Sequence, residues 1–455
     1  MKTRDTLQLL RDYESRNVTF FDADGTWPIV WERARGVHVW DADGKKYLDL
    51  TAAFGVASAG HANPAVVRAG QQQMGKLLHA MGDVHPHELK ARLARELSAL
   101  TFERWNVADD VRRRASKDNR MRRLTSAATA KIIFGSSGFE AVEAALKTAV
   151  LATGKRGIIA FEGAYHGLGY GALNATHREH FRSPFRAQLR EFGHFLPFPV
   201  AADVSRRTSK CAGHGDSLRR LMSAATEIFR REKIGAILVE PVQARGGCNV
   251  PPPEFLPLLR KLCDERGALL ILDEIYTGFG RTGKWFACEH SGVIPDLICL
   301  GKALTGGFPL SACVGRAEVM DAAWPVSTGE AIHTSTFLGH PVGCAMALAQ
   351  IAEIKRLKLC DRSAKLGAGL MEKLSKVQSR VRGLGLMVGV ELRHADGSPN
   401  TQKSLRAIKA MLQRGFIMLP EGAHGEVISF TPPLTIAEAQ LRAAVRALAK
   451  ILAEP

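Results

Sequence analysis

The sequence lacks the patterns that identify a metal-binding, disulfide-rich or membrane-spanning protein. Its eight cysteines include no Cys-x-x-Cys pair, and no group of histidines has the spacing of zinc ligands. The longest strand-like apolar runs, such as residues 268–272, hold about five residues, whereas a membrane-spanning helix needs roughly 20. We therefore expect no metal site, no disulfide scaffold and no membrane span.

A secretory leader and a disordered composition are also missing. Residues 1–17 carry charges throughout and contain no apolar core of the kind that signal peptides have. Hydrophobic residues make up 46% of the 455-residue chain and charged residues 24%, close to the average of soluble globular proteins. We predict a soluble, cytoplasmic protein of roughly two or three domains, or of one large domain with a satellite.

Positive charge is the strongest bias of the composition. There are 62 basic and 45 acidic residues, which gives a net charge of +17 and favours anionic partners. Part of the excess lies between Arg104 and Arg123, but this stretch holds no aromatic residue beyond Trp105 and no nucleic-acid-binding motif. We interpret it as a solvated insertion, and we keep a non-catalytic protein that binds nucleic acid as the weakest functional alternative.

Short apolar runs alternate with amphipathic stretches along the middle of the chain. The runs are apolar without alternation, as expected for strands of a parallel sheet that is covered on both faces. Their order predicts an α/β fold with a mostly parallel sheet, followed by a smaller α+β domain. The predicted strands are residues 131–134, 157–161, 236–239, 268–272 and 297–300.

The pattern divides the chain into three parts. Residues 1–54 form an N-terminal segment that packs with the small domain, and the Asp-Gly turn within residues 36–49 predicts a hairpin there. Residues 55–317 form the large α/β domain. Residues 318–455 form the small C-terminal α+β domain, in which helical patterns surround short strands at 386–390 and 427–430.

Polar residues follow several predicted strands, at the edge where open α/β sheets bind ligands. Ser137 and Glu140 begin a predicted helix with capping-box spacing, so this segment is either an ordinary cap or a cradle for a phosphate. Tyr165, Asp273 and Lys302 follow other strands. Pyridoxal 5′-phosphate (PLP) would use all of these residues, because it combines a phosphate, a flat ring, a ring nitrogen that pairs with a carboxylate and an aldehyde that reacts with an amine.

From about residue 28 to its end, the chain resembles the class III aminotransferases, which are PLP enzymes of fold type I. The resemblance implies an enzyme that moves an amino group from an amine or ω-amino donor to a keto acid acceptor in two half-reactions. The motifs that carry it are Ser-Gly-Phe-Glu-Ala at 137–141, Tyr-His-Gly at 165–167, Glu-Pro-Val-Gln at 240–243, Leu-Asp-Glu-Ile-Tyr-Thr-Gly-Phe-Gly-Arg-Thr-Gly at 272–283, Gly-Lys-Ala-Leu-Thr-Gly-Gly-Phe-Pro-Leu at 301–310 and His-Thr-Ser-Thr-Phe at 333–337.

The resemblance assigns the ring of the cofactor to four residues. It implies that Lys302 forms the Schiff base with PLP and then acts as base and acid toward the substrate. It implies that Asp273 keeps the pyridine nitrogen protonated, so that the ring accepts electrons. Tyr165 would stack on one face of the ring, and Ile275 would pack on the other.

The phosphate of the cofactor is assigned in the same way. Gly138 and Phe139 would offer backbone N–H groups to it, with Ser137 nearby. Thr336 resembles a residue that reaches a phosphate across a subunit interface. The resemblance therefore implies a homodimer with shared active sites.

The substrate pocket departs from ornithine- and 4-aminobutyrate-type relatives, which carry a Glu where this chain has Arg245 and an Arg where it has Ser429. Arg245 either supplies the cationic contact from another wall of the pocket, or it faces solvent or pairs with an acid. Tyr276 replaces a Gln that is common in relatives, which puts the contact to the ring hydroxyl in question. Phe54 and Gln243 complete the substrate-binding candidates.

A second reaction class uses the same cofactor residues. An aminomutase, a racemase or a decarboxylase on this fold would keep Lys302 and Asp273, because the fate of the carbanion depends on the shape of the pocket. The consumption of a keto acid in step with an amine donor separates these enzymes from an aminotransferase.

Overall fold

The computed structural model describes residues 1–106, 129–201 and 212–454. Residues 107–123, which make up most of the basic stretch interpreted as a solvated insertion, lie outside the described residues. Within the described ranges, no helix has both the length and the apolar character that crossing a bilayer requires.

The N-terminal segment forms a small antiparallel sheet of three strands. They are β1 Trp31–Arg35, β2 His38–Asp41 and β3 Lys46–Asp49, and the turn between β2 and β3 forms the predicted hairpin. A two-residue strand from the C-terminal part, Phe416–Ile417, adds to β3 in parallel. The first and last parts of the chain thus share one sheet.

The large sheet has seven strands in the order β4-β10-β9-β8-β7-β5-β6. The pairs from β9 to β6 are all parallel, as predicted, whereas β10 runs antiparallel to both of its neighbours. The strands are β4 Ala130–Gly135, β5 Gly157–Phe161, β6 Gly193–Leu196, β7 Ile234–Val239, β8 Leu269–Asp273, β9 Leu297–Leu300 and β10 Ser311–Arg316.

Both faces of this sheet are covered, which explains why its strands are apolar without alternation. Along β5, Ile159 and Phe161 belong to one apolar cluster, and Ile158 and Ala160 belong to another on the opposite face. Because side chains alternate between the faces of a strand, the two clusters occupy the two sides of the sheet. All five residues of β5 are buried as a result.

The third sheet belongs to the C-terminal part and is antiparallel, in the order β11-β12-β15-β14. Its strand β12 was predicted one residue earlier, at 386–390, and β15 was predicted with the bounds that are observed. The strands, with the two-residue strand of the first sheet as β13, are β11 Val381–Leu384, β12 Met387–Glu391, β13 Phe416–Ile417, β14 Leu419–Glu421 and β15 Val427–Phe430.

Eleven helices of seven residues or more lie in the described ranges and pack around these sheets. The helix that follows β4 has its N-terminus at the candidate site, and it ends at Gly154, which has a left-handed conformation. The eleven helices are α1 Thr3–Tyr13, α2 Pro64–Lys76, α3 Glu88–Ser98, α4 Gly138–Thr153, α5 Ala212–Arg231, α6 Phe255–Arg266, α7 Ala317–Ala323, α8 Pro341–Arg356, α9 Leu359–Ser375, α10 Thr401–Gln413 and α11 Glu438–Ala453.

Candidate active site

A cavity of about 360 Å³ lies at the carboxyl edge of the large sheet. It collects the residues that follow β4, β5, β7, β8 and β9, as expected for an open α/β sheet. Seven of the predicted site residues line this cavity: Gly138, Phe139, Tyr165, Arg245, Asp273, Ile275 and Lys302. His166, Gly167, Leu168, Glu240, Ala244 and Tyr276 complete the lining.

Lys302 projects into the cavity from the loop after β9. Its backbone has a φ of +42°, a left-handed conformation that costs energy for a residue with a side chain. Its Nζ lies 4.1 Å from the centroid of the Tyr276 ring. Burial lowers the pKa of Lys302 from 10.5 to about 8, although the charges of Asp273 and Glu240 act in the opposite direction. A neutral amine, which is the reactive form, is therefore accessible near neutral pH.

Asp273 is the last residue of β8, and its carboxylate is held at both oxygens. Oδ2 lies 2.7 Å from Nδ1 of His166, and Oδ1 accepts a hydrogen bond from the backbone N–H of Ile275 at 3.1 Å. Both Asp273 and His166 are buried. A carboxylate fixed in this way can present a negative charge to a ring nitrogen without rearranging.

The start of α4 has the properties of an anion cradle. Ser137 is the N-cap residue, but its hydroxyl makes no cap hydrogen bond, and its Oγ is buried without a hydrogen-bond partner in the described residues. Free N–H groups and the helix dipole favour a negative charge at this end of the helix. The residues present therefore fit the phosphate of PLP.

The alternative of an ordinary capping box is not what the structure shows. The Glu140 carboxylate accepts from the backbone N–H of Ser136, so it leaves the N–H of the N-cap residue unused. Gly138 has little space: a Cβ there would lie 3.0 Å from Cδ1 of Ile275. The close packing of Gly138 on Ile275 brings the cradle next to the loop that follows Asp273.

Tyr165 stands on the cavity wall after β5. Its ring packs edge-on against Phe181, with 5.6 Å between the ring centroids, and burial raises the pKa of its hydroxyl. Its backbone N–H donates to Oε1 of Glu240 at 3.1 Å. The aromatic ring is thus available to a planar ligand and is anchored through its main chain.

Glu240 and His166 belong to motifs quoted from the sequence, but they were not among the predicted site residues. Glu240 lines the cavity, and its Oε2 accepts a second backbone hydrogen bond from Ala244 at 3.1 Å. Burial raises the pKa of Glu240 from 4.5 to about 7. Glu240 directly follows β7, so the same rule that selected Asp273 after the predicted strand 268–272 would have found it.

Arg245 reaches the cavity and also pairs with an acid. Its Nη1 lies 3.1 Å from Oε2 of Glu421 in β14, and 28% of the Arg245 side chain is exposed against 3% for Glu421. The main chain is fixed as well, because the Arg245 carbonyl accepts from Nη2 of Arg178 at 3.0 Å and from the N–H of Gly422 at 3.1 Å. Burial raises the pKa of Glu421, whereas the positive charge of Arg245 lowers it.

Besides Ser137, four predicted site residues lie outside the described lining of this cavity. Gln243 is buried, and its Nε2 donates to the carbonyl of Glu162 at 2.7 Å. Ser429 is buried as well, with its hydroxyl donating to the carbonyl of Leu419. Thr336 is exposed, and Phe54 lines a neighbouring cavity. The polar groups of Gln243 and Ser429 are therefore engaged in the fold itself.

Curated relatives of this chain are aminotransferases. It is 35% identical over 439 residues to the 5-aminovalerate aminotransferase DavT of Pseudomonas aeruginosa, with 94% of each chain covered. It is also 35% identical to the acetylornithine aminotransferase of Methanosarcina mazei, with 93% of this chain and 92% of the relative covered.

Solved structures agree with these relatives. An (S)-enantioselective omega-transaminase from Thermomicrobium roseum superposes with a TM-score of 0.84 at 27% identity, covering 100% of this chain and 99% of that chain. A PLP-bound amine transaminase from an uncultivated Pseudomonas species gives a TM-score of 0.83 at 27% identity, with 97% and 98% covered. The family model of class-III aminotransferases matches residues 21–452. The chain therefore belongs to the class-III aminotransferases, PLP-dependent enzymes of fold type I.

Proposed function

We propose that Lys302 is the residue that holds the cofactor covalently and moves the proton during amino transfer from an amine or ω-amino donor to a keto acid. The observation that carries this proposal is the placement of a half-buried lysine, with its pKa lowered to about 8, in the same cavity as the fixed carboxylate of Asp273. PLP, when bound, supplies an aldehyde that reacts with amines and a ring that accepts electrons.

The chemistry of the chain itself follows from the protonation of Lys302. A neutral Nζ accepts the proton that leaves the substrate carbon, and as an ammonium it returns the proton later in the same half-reaction. Asp273, oriented by His166, holds a proton on the ring nitrogen through its negative charge. Asp273 and His166 are both buried, and a charge interaction is stronger in such surroundings than in water.

The remaining contacts orient the cofactor. We assign its phosphate to the hydroxyl of Ser137 and to the N–H groups of Gly138 and Phe139 at the start of α4. We assign the faces of its ring to Tyr165 and Ile275. The buried, unpartnered Oγ of Ser137 supports this assignment, since an anion would supply the missing hydrogen bond.

A homodimer is part of the proposal. Thr336 is exposed in the single chain, and so are three apolar side chains of its segment: Val326 is 91%, Ile332 66% and Phe337 54% exposed. A second copy that covers this segment would bring Thr336 toward the phosphate of the other site. Light scattering that gives the mass of one chain would contradict the dimer. The cytoplasmic location stays a prediction from the sequence.

The experiment that tests the function is a donor panel with a keto acid acceptor. The donors are 5-aminovalerate and acetylornithine, which are named for the relatives, together with 4-aminobutyrate, ornithine, lysine, β-alanine, aromatic amines and amino sugars. We expect one keto acid to be consumed for each donor that is oxidised. Lys302→Ala should abolish this turnover, whereas Lys284→Ala, which changes an exposed lysine, should retain it.

The panel also separates the other reaction classes. Release of CO₂, inversion of the donor or migration of its amino group without consumption of a keto acid would contradict the proposal and favour a decarboxylase, a racemase or an aminomutase. Full turnover by Lys302→Ala would contradict the assignment of Lys302.

A further inference from the structure

A second cavity, of about 520 Å³, adjoins the active-site cavity. Arg245 lines both cavities, so they are neighbours on either side of this side chain. The second cavity lies between the N-terminal segment and helix α10. A molecule that reacts at Lys302 could extend past Arg245 into it.

Apolar side chains make up most of the wall of this second cavity. Phe54 stands on it with 49% of its surface exposed. The backbone there is strained, because Ala52, Ala53 and Phe54 have φ values of 48°, 49° and 60°, in the left-handed region that residues with a Cβ avoid. Three strained residues in succession need support from the surrounding structure, and such strain concentrates at binding sites. The other apolar wall residues are Phe20, Trp27, Leu405, Ile408, Leu419 and Pro420.

The cationic side chains on this wall differ in whether they have an ion-pair partner. Lys409 pairs with Asp22 and Asp24, and Arg245 pairs with Glu421. Arg406, an exposed residue one turn before Lys409 on α10, lines the cavity and has no ion pair and no side-chain hydrogen bond among the described residues. The apolar cavity therefore carries one guanidinium whose charge is not neutralised. A guanidinium in this position recognises a carboxylate.

From this arrangement we infer that the second cavity is the subsite for the far end of the amino donor. The donor class is an ω-amino acid with an extended apolar chain: its amine reaches Lys302, its chain lies along Phe54 and Leu405, and its carboxylate pairs with Arg406. This inference rests on the proposed function, since it requires that the amine reacts in the first cavity.

The test compares ω-amino acids with alkylamines of equal chain length. The probes are 4-aminobutyrate, 6-aminohexanoate, 8-aminooctanoate and 12-aminododecanoate, each beside its n-alkylamine, and the readout is conversion of the holoenzyme to its aminated form. We expect kcat/KM to rise with chain length. We also expect kcat/KM to be higher for each long ω-amino acid than for its alkylamine. Arg406→Ala should reduce this excess in kcat/KM by about tenfold, which is the effect of one lost charge-assisted hydrogen bond.

The matched control is Lys403→Ala, which removes a cation from the same helix but outside the described lining of the cavity. It should leave the excess unchanged. A second measurement is independent of turnover: the affinity of the holoenzyme for octanoate, measured by calorimetry, should fall in Arg406→Ala and not in Lys403→Ala.

The outcomes separate this inference from the function on which it rests. If short donors react with consumption of a keto acid but chain length and Arg406 have no effect, the inference is wrong and the aminotransferase proposal stands. If Arg406→Ala and Lys403→Ala lower the excess equally, the effect is general surface charge and the subsite is refuted. If no amine converts the cofactor, both proposals fail.

Discussion

The lowered pKa of Lys302 makes a quantitative prediction about how the apoenzyme takes up PLP. At pH 7 an amine with a pKa of about 8 is neutral in about one molecule in ten, against about one in three thousand at the usual value of 10.5. The rate at which Lys302 bonds to added PLP should therefore rise with pH and level off above about pH 8. Stopped-flow absorbance of the apoenzyme mixed with PLP measures this rate across a series of pH values.

Two substitutions that remove a charge near Lys302 should shift the pH midpoint of this rate in opposite directions. The negative charge of Glu421 raises the pKa of Lys302, and the positive charge of Arg245 lowers it. Glu421→Gln should lower the pH at which the rate reaches half of its plateau value, and Arg245→Gln should raise this pH. Glu372→Gln, which changes an exposed carboxylate on α9, should leave it in place. A midpoint above pH 10, or one shared by all four proteins, would refute the electrostatic reasoning.

Three further predictions concern single side chains. Ser137→Ala should weaken PLP binding by about tenfold while retaining the melting temperature of the apoenzyme, because its Oγ has no protein partner to lose. Arg281→Met should lower the free energy of unfolding by about 3 kcal/mol in denaturant titrations, since buried Arg281 donates to the carbonyls of Leu386 and Pro432. Because burial raises the pKa of Glu240 from 4.5 to about 7, its contribution to apoenzyme stability is lost as pH rises through this interval; Glu240→Gln should flatten the pH dependence.

The positions of the main reactive residues could be predicted because parallel strands place their carboxyl ends at one edge. Asp273 ends β8 and Lys302 follows β9, so two strand assignments were enough to bring them together. Strand β10 was not among the predicted strands, and its antiparallel direction could not be predicted in this way either. Its residues are buried on both faces like those of its parallel neighbours, and burial pattern does not encode strand direction.

The substrate side was harder to predict because its residues depend on partners from remote parts of the chain. Nothing local to Arg245 indicates that Glu421 from β14 will face it. Ser429 occupies the place of a family substrate residue, yet its short hydroxyl bonds within its own sheet, to the carbonyl of Leu419. Gln243 belongs to a recognisable motif, but its amide holds the main chain of Glu162.

The lysine that carries the cofactor can be identified directly. The holoenzyme is reduced with borohydride, which makes the bond between PLP and its lysine permanent, and is then digested and analysed by mass spectrometry. We predict the added mass on the peptide that contains Lys302. A cofactor attached to another lysine, or an unmodified Lys302 peptide from a fully loaded sample, would contradict it.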